Sequence, residues 1–440
     1  AQGHAAAGTA GSNAAAPRPR TRRAPGVMQA IRRLLAGTRP IPGVLPRGPR
    51  GRMAAVAGAS TFGGCLVCSR AAGCDEAFTM PGWFEAPVDL PACSRSQTAR
   101  RLASVHAAEE RLLAQMPGTP YRAWDVPVEF KAGRRCFGPR QEREYTIHTV
   151  AVGLEHRDKM PIVLVHGFMM GSAAFFKWLP LLAKERTVYA VDVIGMAGSG
   201  RPPFDAARLS ADEAEELLVA SLERWAEATG LSEFALLGHS FGGYLCGAWA
   251  ARHPGRIQCL GLLSPLLGFS EERIARLERR EGASWRQQAV KYMVHTVWAH
   301  YITPQALVRW VPGAKNWFER ASERRFQSMA QNVTPEEGRL LSEYVVATMD
   351  MPSSTERAPL VCFGPLLRPL EMKGGTIKAR LSRLDVPVFA VYGDRDWMDP
   401  ASPADVPNCE FVTLPHSGHH LYLDNPVELA EQVLSRLPTC

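Results

Sequence analysis

A serine flanked by glycines stands in Gly238-His239-Ser240-Phe241-Gly242, after the apolar run 234–237 and before the small-residue stretch that begins at Gly243. That order reads as strand, sharp turn and helix, with a hydroxyl at the apex. Gly238, Gly242 and Gly243 suit such a turn because backbone passes so close to the central residue that side chains would collide. A serine hydroxyl is a weak nucleophile until a base takes its proton, and the base needs a third group to orient it. Both partners follow in the chain. Residues 387–392 read as a buried strand ending in Gly393-Asp394-Arg395-Asp396, and 410–415 as another that leads into Ser417-Gly418-His419. Asp396 is the expected acid, a few residues past its strand, where a loop carboxylate reaches an imidazole; Asp394 competes with it. His419 is the expected base, and the glycine before it favours it over its neighbour His420. Charge that develops on a substrate oxygen needs fixed N–H donors. The strand 161–165 runs into His166-Gly167-Phe168, so the amides of Phe168 and Phe241 are the expected pair. These parts together describe acyl chemistry through a serine ester.

The elements that must position them alternate from Val126 onward. Strands at 126–130, 145–152, 161–165 and 187–192 are expected, then a helix near 212–228, the turn at Ser240 and a strand at 257–263. Alternating strands and helices build an α/β fold with a mostly parallel sheet and helices on both faces. A further helix is expected from about Ser172. Gly195-Met-Ala-Gly198-Ser-Gly200 lacks both the GK[ST] ending of a phosphate loop and the GxGxxG spacing, so it reads as a tight turn. Residues 266–380 interrupt the alternation with helical, aromatic-rich sequence, the expected cap over the active site. There Trp285, Tyr292, Met293, Trp298, Tyr301, Trp310, Trp317 and Phe318 alternate with basic residues. An apolar lid carrying cations suits an acyl chain beside a phosphate or an anionic membrane, although each aromatic also serves simply to pack the lid.

Charge is distributed unevenly. The net +8 arises from residues 1–74, which hold eleven arginines and no lysine or acid; the remainder carries 40 basic against 43 acidic residues. The enzyme portion is therefore mildly acidic, and no nucleic-acid partner is expected. No apolar run reaches the ~18 residues of a membrane-spanning helix. Residues 1–79 read as a disordered Arg/Ala-rich segment. Met28, Ile31, Leu34 and Leu35 share a helical face beside Arg32 and Arg33, the pattern of a mitochondrion or plastid transit peptide. A tail with no address, or translated sequence upstream of a start at Met28 or Met53, are the other readings, with a cytoplasmic enzyme peripheral to a membrane or lipid droplet as the outcome. Residues 80–125 read as an amphipathic lead-in: Trp83-Phe84 suits a lipid interface, and a helix at 96–115 aligns Leu102, Val105, His106, Leu112 and Leu113. Residues 126–440 then form the enzyme domain. Cys65 and Cys68, with Cys74 and Cys93 nearby, make one CxxC knuckle and lack a second pair, so no metal site is expected.

From about residue 80 to 440 the chain resembles the alpha/beta-hydrolase-domain group that includes the adipose triglyceride lipase co-activator, N-acyl-phospholipid lipases and yeast cardiolipin deacylase. The resemblance is carried by Ala107-Ala-Glu-Glu-Arg-Leu-Leu, Leu164-Val-His-Gly-Phe, Val188-Tyr-Ala-Val-Asp, residues 195–203, the serine turn, and Gly418-His-His-Leu-Tyr-Leu-Asp424-Asn-Pro426. It implies an alpha/beta-hydrolase fold and phospholipid or lysophospholipid substrates at a membrane or lipid-droplet surface. The expected function is a serine lipid hydrolase, a phospholipase or N-acyl-phospholipid lipase. The first alternative is a lysophosphatidic acid acyltransferase in phosphatidic acid biosynthesis, with acyl-CoA as co-substrate and His419 and Asp424 as the family's His-x4-Asp motif. Asp424 equally reads as the N-cap of the last helix. The second alternative is a non-catalytic lipase co-activator; the co-activator has asparagine at the nucleophile position, whereas Ser240 is intact. An epoxide hydrolase is disfavoured because it would carry Asp there. Acyl chemistry through a serine ester requires no metal or organic cofactor, so none is expected. Met196-Ala197, where relatives tend to carry Phe-Gly, departs from the group.

Overall fold

The computed structural model describes residues 94–131, 142–279, 285–329 and 332–438. The arginine-rich segment, its amphipathic stretch at Met28, the CxxC knuckle and Trp83-Phe84 lie outside the described residues.

The first described helix, α1 (Arg95–Leu113), starts at Ser94, whose hydroxyl accepts the Gln97 amide while the Gln97 side chain answers the Ser94 amide. Its buried residues are Val105, Ala108, Glu109, Leu112 and Leu113, so this helix packs on the body of the enzyme. Strands β1 (Tyr121–Lys131) and β2 (Glu142–Val152) pair antiparallel. β1 begins five residues ahead of the expected start at 126 because its first residues, Tyr121, Arg122 and Ala123, are exposed on the sheet edge and lack the apolar alternation that marks a half-buried strand.

Strands β3 (Ile162–Val165), β4 (Val188–Val191), β5 (Phe234–His239), β6 (Ile257–Leu263), β7 (Val388–Gly393) and β8 (Cys409–Leu414) complete an eight-stranded sheet in the order β1-β2-β4-β3-β5-β6-β7-β8. From β4 to β8 every neighbouring pair is parallel. The inner strands read as unbroken apolar runs because both of their faces are covered. Successive side chains of β3 show this: Val163 and Val165 join one core with Leu218, Trp225 and Phe241, while Ile162 and Leu164 join the other with Trp178, Tyr344 and Leu429.

Helix α2 (Ala211–Thr229) covers the first face. Ser210 and Glu213 form its capping box, and Gly230, at φ 71°, closes it in the left-handed region. Helix α3 (Phe241–Arg252) follows β5 directly. The helix expected from Ser172 is instead a 3-10 turn, Ser172–Phe175, followed by a separate short helix, Leu179–Leu182. Pro180 explains the break, since it has no N–H for a continuous helix to use.

Between β6 and β7 come α4 (Glu271–Glu278), α5 (Trp285–Ala299), α6 (Pro304–Trp310), α7 (Ala314–Met329) and α8 (Pro335–Met349). α8 is also a wall of the second core, where Leu340, Leu341, Tyr344 and Val345 meet Val105 and Leu112 of α1. No described helix is long and apolar enough to cross a membrane.

Candidate active site

Open parallel sheets bind ligands beyond the carboxyl ends of their strands, and the sequence-selected residues gather there. Ser240 follows β5, Phe168 lies just past β3, and Asp396 and His419 follow β7 and β8. Ser240 has φ 54° and ψ −118°, a conformation that side-chain-bearing residues rarely adopt. Its backbone is held by Leu263, whose carbonyl accepts the Ser240 amide at 2.9 Å, and by the Leu266 amide, which donates to the Ser240 carbonyl at 2.9 Å. The flanking glycines are required by contact. A Cβ on Gly238 would meet the Gly242 carbonyl and lie 2.6 Å from Sγ of Cys246; one on Gly242 would lie 2.5 Å from the His166 carbonyl; and one on Gly243 would lie 2.9 Å from Pro265.

His419 is 6% exposed and uses both ring nitrogens: Nε2 lies 3.0 Å from Oγ of Ser240, and Nδ1 lies 2.9 Å from Oδ1 of Asp396. Burial pushes the Asp396 carboxyl up, but the His419 hydrogen bond and charge, the Ser264 hydroxyl and the Met398 amide outweigh it and hold the group below its ordinary value. Asp396 is thus an anion beside the imidazole. Asp394 does something else: its carboxylate accepts the Ser417 amide at 2.9 Å, bracing the loop that carries His419. His420 makes ring contacts with Phe326 and Tyr422 instead of facing Ser240, and burial pulls its pKa down to about 3.

Asp424 is not the N-cap of the last helix. It ends the short helix Leu421–Asp424, and Asn425 caps α9 (Pro426–Leu434). Its carboxylate turns back along the chain and accepts the Gly418 amide at 2.9 Å. The reason is local: Gly418 N–H is buried beside His419, and the turn from His420 to Asp424 brings an oxygen within reach. Burial raises the Asp424 pKa, against the Gly418 bond that lowers it.

Three neighbours escape a reading of the sequence for triad residues. His239, between Gly238 and Ser240, places Nε2 2.8 Å from the His419 carbonyl; with only an acceptor there, Nε2 carries the proton and donates. Burial, then the neighbouring His419 and His420, press its pKa well below the ordinary value, so it is neutral. His166 receives the Val193 amide on Nε2 at 3.0 Å and donates from Nδ1 to the Gly167 carbonyl at 2.8 Å. A trans peptide holds its C=O and N–H in opposite directions, so fixing the Gly167 carbonyl also fixes the Phe168 amide. Trp397, next to Asp396, stands with its ring 4.9 Å from that of His419 and is 46% exposed, an aromatic wall open to solvent. The HGF and GHSFG strings carry a signal for the two histidines; nothing in the sequence marks Trp397.

The Gly195 turn is braced internally. Asp192 accepts the Ser172 amide at 2.6 Å and the Gly198 amide at 2.8 Å, while the Arg201 guanidinium donates to the carbonyls of Gly195 and Ala197. The amides of Gly195, Met196, Gly198, Ser199 and Gly200 all have partners within the protein, as in a tight turn. The described cysteines, Cys246, Cys259, Cys362 and Cys409, are buried free thiols.

Residues 160–426 match the family profile described as alpha/beta hydrolase fold. A 1-acylglycerol-3-phosphate O-acyltransferase of Arabidopsis thaliana is 32% identical over 346 residues, 74% of this chain and 78% of that protein. A (lyso)-N-acylphosphatidylethanolamine lipase of Mus musculus is 29% identical over 293 residues, 64% of this chain and 80% of that protein. Among solved structures, the carboxylesterase CesB of Bacillus subtilis superposes with a TM-score of 0.51 at 18% identity, covering 77% of this chain and 98% of that one. The motif resemblance to N-acyl-phospholipid lipases and lysophosphatidate acyltransferases is met by these relatives.

Proposed function

The chain belongs to the alpha/beta-hydrolase family, and from that premise we propose that it is a serine lipid hydrolase acting on a phospholipid or lysophospholipid at a lipid surface. The observation that carries the reading is the unbroken hydrogen-bonded line from Ser240 through His419 to Asp396. His419 Nε2 takes the Ser240 proton as Oγ bonds to the acyl carbon, and the carbonyl oxygen becomes an oxyanion between the amides of Phe168 and Phe241. The oxyanion collapses, the bond to the leaving alcohol or amine breaks, and His419 returns the proton to it. A water, deprotonated by the same nitrogen, then attacks the acyl-serine; the bond to Oγ breaks, His419 returns that proton to Ser240, and fatty acid is released. Asp396 stays ionised throughout and supports the imidazolium.

The cap supports a lipid surface as the site of action. Tyr292, Met293, Trp310 and Trp317 are among the exposed large hydrophobics of α5 to α7, at 54%, 53%, 37% and 56%. Exposed aromatic and apolar groups of this kind suit the boundary between acyl chains and water. The arginine-rich first 79 residues would direct the chain to a mitochondrion or plastid, which a fluorescent fusion of that segment tests.

Acyl transfer is the second reading, favoured by the Arabidopsis relative. It needs only that the hydroxyl of a lysophospholipid replace water at the acyl-serine, with acyl-CoA as the donor. The test of both is product analysis on mixed phospholipid vesicles with labelled acyl-CoA and lysophosphatidic acid, for wild type and Ser240→Ala. Fatty acid release that vanishes with Ser240→Ala supports the hydrolase. Phosphatidic acid formation that survives Ser240→Ala removes the acyl-serine from the mechanism, and a lipase-stimulating effect unchanged in Ser240→Ala supports a non-catalytic co-activator.

A further inference from the structure

A second cluster of chemical side chains lies between α1 and the β1–β2 hairpin. His148 of β2 faces Asp125 of β1 in the strand register. Its ring is held at both ends, Nδ1 at 2.7 Å from Oδ1 of Asp125 and Nε2 at 2.7 Å from Oε2 of Glu109. Glu109 lies three residues beyond His106 on α1, and the His106 ring stacks on that of His148 with centroids 5.0 Å apart. One donor atom from each of His106, Asp125 and His148 falls within 4.8 Å of the others.

A hydrogen-bonded imidazole between two carboxylates accounts for Glu109, His148 and Asp125. It leaves His106 unexplained, because its Nε2 is buried and has no hydrogen-bond partner. A buried ring nitrogen normally finds a donor or an acceptor. Two imidazoles and one carboxylate are borderline donors that match zinc and its neighbours among divalent transition metals better than calcium or magnesium. Glu109, on the far nitrogen of His148, occupies the place of the carboxylate that orients a metal-bound histidine. Asp125 supplies the way in, since its side chain is 39% exposed.

We propose that His106, Asp125 and His148 form a site for a divalent metal of the zinc class, with Glu109 as the positioning carboxylate, tying α1 to the sheet edge. An ion about 2.0 Å from each donor needs donors about 3.3 Å apart in a tetrahedral arrangement; it takes the place of the proton that His148 Nδ1 now gives to Asp125, that proton leaving to solvent, while turning of the His106 ring out of its stack and rotation of the exposed Asp125 side chain bring their donors in. The fourth position is left to water. Its donors come from α1, β1 and β2, none of which carries a triad residue, so its role is to fix the first helix.

The experiment uses the full chain, freed of metal by chelator, titrated with zinc in a competing-dye assay and followed by thermal unfolding. Wild type should bind one more equivalent than His106→Ala, and zinc should raise the Tm of wild type more than that of His106→Ala. His106→Ala keeps the Glu109, His148 and Asp125 bonds, so it remains a folded comparison. Glu109→Gln should weaken the same equivalent by roughly 10- to 100-fold. Cys65→Ser with Cys68→Ser should leave it in place. Equal zinc binding by wild type and His106→Ala, including none in either, overturns the proposal and leaves a hydrogen-bonded cluster.

Discussion

Replacing Asp424 distinguishes a reagent from a brace. Both ring nitrogens of His419 are already engaged, by Ser240 and by Asp396, so Asp424 has no ring nitrogen left to serve. Its contact is with the Gly418 amide, one residue before the base. In Asp424→Asn the amide oxygen can accept the same N–H, and what is lost is the charge assistance, about 1 kcal/mol. Transmitted in full to the transition state, that is a loss of about fivefold. Asp424→Ala leaves the buried N–H without an acceptor and costs about 1–3 kcal/mol, or roughly 5- to 150-fold. The assay is kcat/KM for fatty acid release and for acyl transfer to lysophosphatidic acid, measured on the same preparations. The two activities should fall together, with Asn close to wild type and Ala lower. Loss of acyl transfer by a thousandfold or more in Asp424→Asn, with hydrolysis intact, would refute the bracing role and make Asp424 a participant in acyl transfer.

Asp396→Asn should lower kcat by about 10⁴, because an amide at that position favours the wrong tautomer of His419; Asp394→Asn should cost far less, and the reverse ranking in steady-state kinetics would reassign the acid. Ser240→Gly should remove activity yet stabilise the fold by about 1 kcal/mol, since glycine relieves the φ of 54° at some cost in backbone entropy; urea unfolding reads the sign. Acid should destabilise the protein before its carboxylates titrate. His166 and His239 are each 1% exposed and held neutral by burial, with pKa values below the unfolded value of about 6.5. Their contribution is complete above that pH and declines as pH falls, by up to about 1.36 kcal/mol per histidine per pH unit. Unfolding free energy should therefore drop between pH 6.5 and 5, and a flat profile there would mean that these histidines take up protons in the folded state.

The chemistry was more legible in the chain than its supports. Glycines at Gly238 and Gly242 announce a close backbone approach, and an acid and a histidine each end a buried strand, so local pattern carries Ser240, Asp396 and His419. The choice between Asp394 and Asp396 turns on which carboxylate faces the imidazole and which faces the Ser417 amide, and both follow the same strand. Asp424 reads as a cap because it stands two residues before Pro426, but Asn425, next to the proline, takes the cap, and a buried amide upstream takes the Asp424 carboxylate. Trp397 and the cluster at His148 depend on approaches between distant segments: Glu109 of α1 and His148 of β2 lie 39 residues apart in the chain. The split helix after Ser172 was marked by Pro180, a signal outweighed by the surrounding apolar residues.

The exposed outer strand has a consequence for a protein at high local concentration. Crowding favours growth of one sheet onto another through unpaired edge amides, which is the route to fibrils and amorphous stacks. β1 is an 11-residue outer strand, long enough to seed that growth, but it carries Pro127 and Glu129, both exposed, along its length. Proline offers no amide to an incoming chain, and the carboxylate repels a second copy of the same strand. At the opposite border Glu410 of β8 is occupied by Arg436 at 2.6 Å. The sheet is thereby terminated on both sides, and crowded molecules can remain separate.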